Sequence, residues 1–228
     1  YQLRQMANVD LYTNSPMDAA TVAEMQADHT FVATGARWLD NGLGRTHFEP
    51  IAGFEEAALG VDDVIAGAMP DGPVLIYDDD HYYMGNVLAA HFARLGHSVT
   101  LVTPQPYVAG WMGYTLEQPR VTKQMTTLGV NVLPNAVAVG WDGALQLEDA
   151  NTGAPLAPLS GTLVPIGLRA PNLALWDALE DVTAKTLVGD AVAPGLIQSA
   201  VFSGHKAERT FLNDGVEPLW RRERGMLV

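Results

Sequence analysis

The chain has no cysteine. Disulfides, thiolate catalysis and cysteine-ligated iron–sulfur clusters are therefore excluded from these residues. Positive charge is scarce: 13 Lys and Arg stand against 26 Asp and Glu, a formal net charge of −13 over 228 residues. A surface of that sign repels nucleic acid and anionic membranes, so neither is an expected partner. It also works against anionic cofactors unless local groups overcome it. No apolar run is long enough to span a bilayer. No secretory signal is visible, and a cytoplasmic location is expected. What is present is apolar residue, 48% hydrophobic against 17% charged. That suffices for a sizeable core and describes a globular chain. The length suits two modest domains. The chain opens on Tyr1 and reads as a fragment or processed piece that begins inside a structural unit.

Patterning places the elements. Residues 9–12 have strand character. A short helix is read over 18–26, with Ser15 or Asp18 as N-cap. A buried strand from His29 runs into a tight turn at Gly35. Residues 37–72 read as loop, with one short helix over 62–68. Residues 73–103 form a βαβ unit: an apolar strand at 73–77, a helix over 86–96 stopped by Gly96, and a strand at 97–103. Parallel strands and a right-handed crossover follow. The helix shows Val87, Leu88, His91, Phe92 and Leu95 on one face. Further on come a helix over 118–128, a strand over 130–139, and antiparallel pieces at 141–147 and 156–168 around the turn at 151–153. A short helix over 173–180, a strand over 185–191 and a helix over 193–213 complete the pattern, with Pro194 and Gly195 in the last helix's first turn. Residues 220–224 form a charged, exposed tail.

Two strands end in glycine turns, Ala33-Thr34-Gly35-Ala36 and Val188-Gly189-Asp190-Ala191. Glycine lets backbone come close to a ligand. A helix start after the second turn offers unpaired N–H groups to phosphate. Asp190 can accept hydrogen bonds from sugar-type hydroxyls. In the plain alternative both are ordinary strand ends and Asp190 is an N-cap. The order of the two turns, and their spacing of about 150 residues, favours a shared nucleotide site.

An Ala-Thr-Gly turn, an inserted βαβ domain and a late Gly-Asp-Ala turn resemble the two-dinucleotide-domain flavoproteins. More closely, the chain resembles the trimethylamine, dimethylamine and histamine dehydrogenases over nearly its whole length. The segments that carry this are Ala33-Thr-Gly-Ala-Arg-Trp38, Tyr77-Asp-Asp-Asp-His-Tyr-Tyr-Met-Gly85, Thr115-Leu-Glu117 and Gly189-Asp-Ala-Val-Ala-Pro194. The resemblance implies an α/β fold of two Rossmann-like lobes. The outer lobe is discontinuous and incomplete, built from 1–39 and 161–214; the inner is inserted at 40–160, and a tail covers 215–228. It implies ADP or FAD as the nucleotide, with Ala33, Thr34, Gly35, Gly189, Asp190 and Ala191 as cofactor-binding residues. FMN and an iron–sulfur cluster are implied only for a barrel domain absent from this sequence. The implied partners are that N-terminal barrel, an electron-transferring flavoprotein and, in the intact enzyme, a second copy. The outer lobe's usual strand and GxGxxG turn are also missing, since Gly42-Leu43-Gly44 sits in a loop with no strand before it.

The inner lobe departs from a working dinucleotide site. Counted back from Gly96, its three glycine positions fall on Asp80, Tyr82 and Gly85, and only Gly85 remains. Tyr82 blocks backbone approach to a pyrophosphate. Asp78, Asp79 and Asp80 place negative charge where phosphate sits, a repulsion of roughly 4 kcal/mol per close pair. The next strand ends Val102-Thr103-Pro104, without an acid to hold a ribose. This lobe is expected to keep the fold and to have lost NAD(P) binding. Asp78-Asp79-Asp80-His81 as a metal site is the weaker reading, because neighbours on one turn rarely converge on one ion; a structural role with His81 offsetting the acids is preferred, and no metal residue is assigned. Histidines 29, 47, 91, 97 and 205 show no ligand spacing and are read as surface or satisfied core.

Trp111 and Tyr114, in a Gly-rich loop, suit a partner-docking surface, with Trp111 capping the core as the equal alternative. Trp38 and Trp176 are read as packing. No catalytic residue is assigned. The expected role is thus the C-terminal part of an amine dehydrogenase that demethylates or deaminates a small amine. It supplies a structural ADP or FAD site and no chemistry of its own. Two alternatives stand beside it: an FAD- and NAD(P)H-binding module like that of dienoyl-CoA reductases, and a cofactor-free docking module.

Overall fold

The computed structural model describes residues 3–216. The chain folds as two compact units, residues 1–36 with 171–228, and residues 37–170. The 220–224 tail and most of the segment 215–228 lie outside the described residues. The first unit begins with α1 (Ala19–Glu24) and β1 (Thr30–Val32), and β2 (Ala36–Trp38) marks the crossing. The second unit holds α2 (Phe54–Ala57), α3 (Val61–Ile65), β3 (Val74–Asp78), α4 (Met84–Arg94), β4 (Val99–Val102) and α5 (Gln118–Thr127). It continues through β5 (Asn131–Leu133), β6 (Ala136–Trp141), β7 (Leu145–Asp149) and β8 (Thr162–Ile166). The chain returns through β9 (Arg169–Pro171) to α6 (Ala174–Ala178), β10 (Lys185–Leu187) and α7 (Ile197–Leu212).

The second unit is a Rossmann-like α/β domain. Its four strands run parallel in the order β5-β4-β3-β8. The βαβ reading of 73–103 holds. All five residues of β3 are buried, as befits a parallel strand covered on both faces. Val74, Ile76, Val99, Leu101, Val164 and Ile166 face a core shared with α3, α4 and α5. Leu75, Tyr77, Val102 and Leu163 face the other core, with Phe54 of α2 and the antiparallel β6–β7 hairpin.

Three sequence expectations change here. Residues 156–168 are not one antiparallel piece. Pro155 and Leu159 pair antiparallel with Glu148 and Leu145, but Thr162–Ile166 is a parallel strand beside β3. Its run Thr-Leu-Val-Pro-Ile is apolar enough to be buried on both sides, and residues 161–170 therefore belong to this unit. Residues 130–139 split at Asn135, whose φ of 53° turns the chain from β5 into β6. On α4 the buried stripe is Gly85, Leu88, Ala89 and Phe92, an i, i+3, i+4, i+7 set. Val87, His91 and Leu95 are exposed. At Gly85 α4 lies close on the sheet: a Cβ there would stand 2.6 Å from Asp78 Oδ2 and 3.0 Å from its Cβ. Gly96, at φ 92°, ends the turn after α4 as expected.

The first unit has a two-stranded parallel sheet, with Thr30, Phe31 and Val32 opposite Lys185, Thr186 and Leu187. β1 is only partly buried, since Phe31 is 41% exposed and Val32 3%. Residues 9–12 form no strand. Asp18 caps α1, its Oδ1 accepting the Thr21 N–H at 2.8 Å. Lys185 Nζ lies 4.6 Å from the centre of the Trp176 ring and donates to the Trp176 carbonyl at the end of α6, a favourable place for a cation. The last helix starts at Ile197 rather than 193. Residues 189–191 form a separate 3-10 turn, and Asp190 Oδ1 accepts the Gly195 N–H at 3.0 Å, holding 190–195 out of the helix.

Gly85→Ala should destabilise the chain by about 1–3 kcal/mol, despite alanine's better helix propensity, because the added methyl overpacks the contact with Asp78. A lower urea midpoint with an unchanged slope checks this; an unchanged midpoint refutes it.

Candidate functional site

Strand order reverses between β3 and β8 in the second unit, and a ligand of an open α/β sheet sits outside the carboxyl ends of the strands at such a point. Here the end of β3 runs straight into Asp78-Asp79-Asp80-His81. Asp78 is fully buried, and its Oδ1 accepts the N–H groups of Asp80 at 3.2 Å and His81 at 3.0 Å. The carboxylate thus takes turn amides that a dinucleotide-binding turn offers to pyrophosphate. His81 completes the turn at φ 62°, in the left-handed region, with its ring 2% exposed. The expected wall of three negative charges is therefore corrected. Two of the acids point inward, and only Asp80 reaches the surface, pairing with Arg45 at 3.2 Å.

Asp79 is the centre of the cluster. The Thr46 N–H donates to both its oxygens, at 2.9 and 3.1 Å, and the His47 N–H to one, at 3.2 Å. His81 Nε2 stands 3.1 Å and His47 Nδ1 3.5 Å from the same carboxylate. His47 also donates through Nε2 to the Ala138 carbonyl at 2.7 Å. His47 is thus a member of the site that its sequence position concealed. It lies 31 residues before Asp78 in a loop, and no spacing rule links them.

The electrostatics follow from these contacts. Burial pushes Asp78 up to about 6, against the opposing pull of His81 and the turn amides. Burial works the same way on Asp79, but His47, the neighbouring His81 ring and the Thr46 amide outweigh it and hold the group well below the usual carboxylate range. Its partner His47 is raised by Asp79, with burial opposing. Burial raises Asp80 as well, and Arg45 and Arg169 counter it. Tyr77 is pushed up by burial and by Asp79. Among the described residues no group of three or more His, Asp and Glu side chains is placed to hold a metal ion. Nor is any helix there long and apolar enough to cross a membrane.

In the first unit the two glycine turns come together. Ala33-Thr34-Gly35 follows β1, Gly189-Asp190-Ala191 follows β10, and these strands are parallel neighbours, the Val188 N–H donating to the Val32 carbonyl at 2.9 Å. The six expected cofactor residues thus share the carboxyl end of one sheet. Gly35 and Gly189 have φ of 74° and 66°, which L side chains rarely adopt. The space above Gly35 is open, with nothing within 4 Å of a Cβ. Some donors are already engaged: Thr34 Oγ1 donates to the Asn172 carbonyl at 2.6 Å, and the Gly189 N–H to Ser203 Oγ at 3.0 Å. A cleft of about 690 Å3 also lies in this unit, lined by His29, Thr186, Val192, Ser203, Lys206 and Phe211 among others, and none of the six residues lines it.

Trp111 and Tyr114 stand on a 3-10 turn, Gly110–Gly113, and the residue after it. Their rings are 5.7 Å apart, and they are 46% and 84% exposed. Arg45 lies over Trp111 at 5.0 Å. Met112, 9% exposed, is the residue of this turn that enters the core, and Trp111 stays half exposed beside it. Trp38 packs against the core of the second unit, with Arg169 over its ring at 5.3 Å.

The folded chain binds the Asp78 proton more tightly than the unfolded chain. Asp78 therefore lowers stability as pH rises from about 4 to about 6, by roughly 3 kcal/mol at most. The stability of Asp78→Asn relative to the native chain should climb across that window and level off above it. Urea unfolding from pH 4 to 7 measures this, and a constant difference refutes it.

Residues 59–149 match the family model of the OYE-like second alpha/beta domain. The chain is 28% identical to dimethylamine dehydrogenase of Hyphomicrobium sp. (strain x), over 85% of this chain and 31% of that enzyme. Its fold superposes on 6-hydroxypseudooxynicotine amine oxidase from Pseudomonas geniculata N1 with a TM-score of 0.86 and 32% identity, over 90% of this chain and 32% of that one. Histamine dehydrogenase from Rhizobium sp. 4-9 gives 0.88 and 28%, over 100% of this chain and 38% of that one. The chain thus spans about a third of the length of these relatives. It is homologous to the dimethylamine and histamine dehydrogenases, and its central residues, 59–149, match the OYE-like second α/β domain.

Proposed function

We propose that this chain is the nucleotide-binding C-terminal region of an amine dehydrogenase. In the intact enzyme a barrel domain carrying FMN and an iron–sulfur cluster oxidises a small amine by demethylation or deamination. The first unit described here holds ADP or FAD as a structural ligand. The observation that carries this is the meeting of two glycine turns, about 150 residues apart in sequence, at the carboxyl ends of neighbouring parallel strands. Ala33, Thr34 and Gly35 offer approachable backbone, and Asp190, beside Gly189 and Ala191, is the sugar contact in this reading. The chemistry of the reaction resides in the barrel, and this chain's residues bind and position.

The reading as an NAD(P)H-using module is disfavoured by the second unit. Asp78 already takes its turn amides, and Tyr82 and Asp80 stand where glycine is needed. The exposed pair Trp111 and Tyr114, with Arg45 beside it, supports an added role in docking an electron-transferring flavoprotein. Within this reading the protein is cytoplasmic, and the intact enzyme forms homo-oligomers.

The test is to denature the purified chain, identify released nucleotide by mass spectrometry, and follow thermal unfolding with ADP, FAD, NADH and NADPH. A rise in Tm with ADP or FAD alone is expected, about 2.7 kcal/mol of stabilisation at a hundred times Kd. Gly35→Val should abolish that rise. A response to NADH or NADPH favours the reductase-like module. No response to any nucleotide, and none released, favours a docking module without cofactor.

A further inference from the structure

The crevice at the ends of β3 and β8 is filled by the chain itself. The Leu43 carbonyl accepts the Leu168 N–H at 2.7 Å, just beyond β8, and the Arg45 N–H donates to the Asp79 carbonyl at 3.1 Å, just beyond β3. Arg45 Nε donates to the Asp80 carbonyl at 2.7 Å. The fit leaves no slack: a Cβ on Gly44 would stand 2.1 Å from Asp79 Oδ2, and one on Gly167 2.0 Å from the Leu43 carbonyl. At the centre, consecutive backbone amides of Thr46 and His47 converge on the Asp79 carboxylate. Consecutive amides closing on one anion make the kind of concavity that binds phosphate in nucleotide sites. In this chain the anion is a side chain from the opposite wall, 1% exposed and flanked by the His47 and His81 rings.

We propose that Asp79 is a built-in anion that pins residues 43–48 across the switch-point crevice, so that the loop closes the space a nucleotide phosphate would otherwise enter. This rests on the reading of the second unit as a Rossmann-type domain that takes no NAD(P), and it gives that reading a cause. The site is not merely short of glycines; it is occupied. Asp79 is a positioning residue in this account: it holds a loop and touches no substrate. Removing its carboxylate while keeping the amides leaves a vacant anion nest of matching size.

The experiment uses the full chain, native and as Asp79→Ala, with Asp142→Asn, an exposed acid in the same unit, as the control for loss of a surface charge. Thermal unfolding is followed in rising sodium formate against sodium chloride at equal ionic strength. Trypsin cleavage after Arg45 is timed by mass spectrometry. Asp79→Ala should unfold at lower temperature and be cut after Arg45 about tenfold faster, the cost of losing a charge-assisted hydrogen bond. Formate should raise its Tm and slow the cut, leaving the native chain and Asp142→Asn unmoved. The proposal is overturned if formate acts no differently from chloride on Asp79→Ala, or if that variant is cut no faster than the native chain. Should Asp79→Ala fail to fold, Asp79→Asn carries the proteolysis arm, and cleavage at the native rate overturns it. A Tm rise of the native chain with NADH or NADPH would instead sink the reading on which the proposal rests, while the formate arm still judges the pin.

Discussion

A buried ionised carboxylate is tolerated only when donors replace the water it has lost, and the second unit is organised around meeting that demand for Asp79. Two amides of a loop 32 residues upstream, the rings of His47 and His81, and the end of β3 all converge on one group. The loop that brings the amides must lie against β3 so closely that position 44 has no room for a side chain. The same loop reaches the far side of the crevice through Leu43 and residue 168. A single desolvated charge therefore ties together the ends of β3 and β8, the 43–48 loop and, through His47 and Ala138, the β6–β7 hairpin.

Asp78, one residue earlier, has the opposite fate. It is buried as deeply, yet Oδ2 finds no partner and its proton is held toward neutral pH. Adjacent positions on a strand point to opposite faces, so the pair divides the two sides of the sheet between them. Asp78 turns toward α4, where Gly85 lets the helix come near and the carboxylate closes the first turn. Asp79 turns toward the loop. One acid replaces the amide contacts of a nucleotide and the other fills its space, so the loss of glycines at 80 and 82 has a structural counterpart on each face.

The first unit is organised differently. Its sheet has two short strands, and α7 has half-buried residues but no fully buried one. Its organisation is one of delivery: β1 and β10 run parallel and end together, so turns from opposite ends of the chain meet. Thr34 and Gly189 secure those turns to the residue 172 carbonyl and the Ser203 hydroxyl. The open space over Gly35 is what distinguishes this end of the sheet from the filled crevice of the other unit.

Much of this was legible in the sequence. The βαβ unit at 73–103, the stop at Gly96 and the cap at Asp18 follow from local rules, because period, cap and turn chemistry act within a few residues. The two glycine turns were legible as a pair through their order. Other features were decided only by tertiary structure. Thr162–Ile166 has the composition of a buried strand, but only the vacant edge of β3 makes it a parallel one. The buried face of α4 kept Leu88 and Phe92 but took in Gly85 and Ala89, where the sheet sits near, while Val87 and Leu95 were left outside. His47 joined the acid cluster across 31 residues that carry no periodic signal. Three consecutive aspartates look alike in sequence. Which of them gives up its proton most readily, which holds it to higher pH and which meets solvent is set by burial and by donors arriving from elsewhere in the chain, and desolvation is a property of the folded surroundings rather than of the residue.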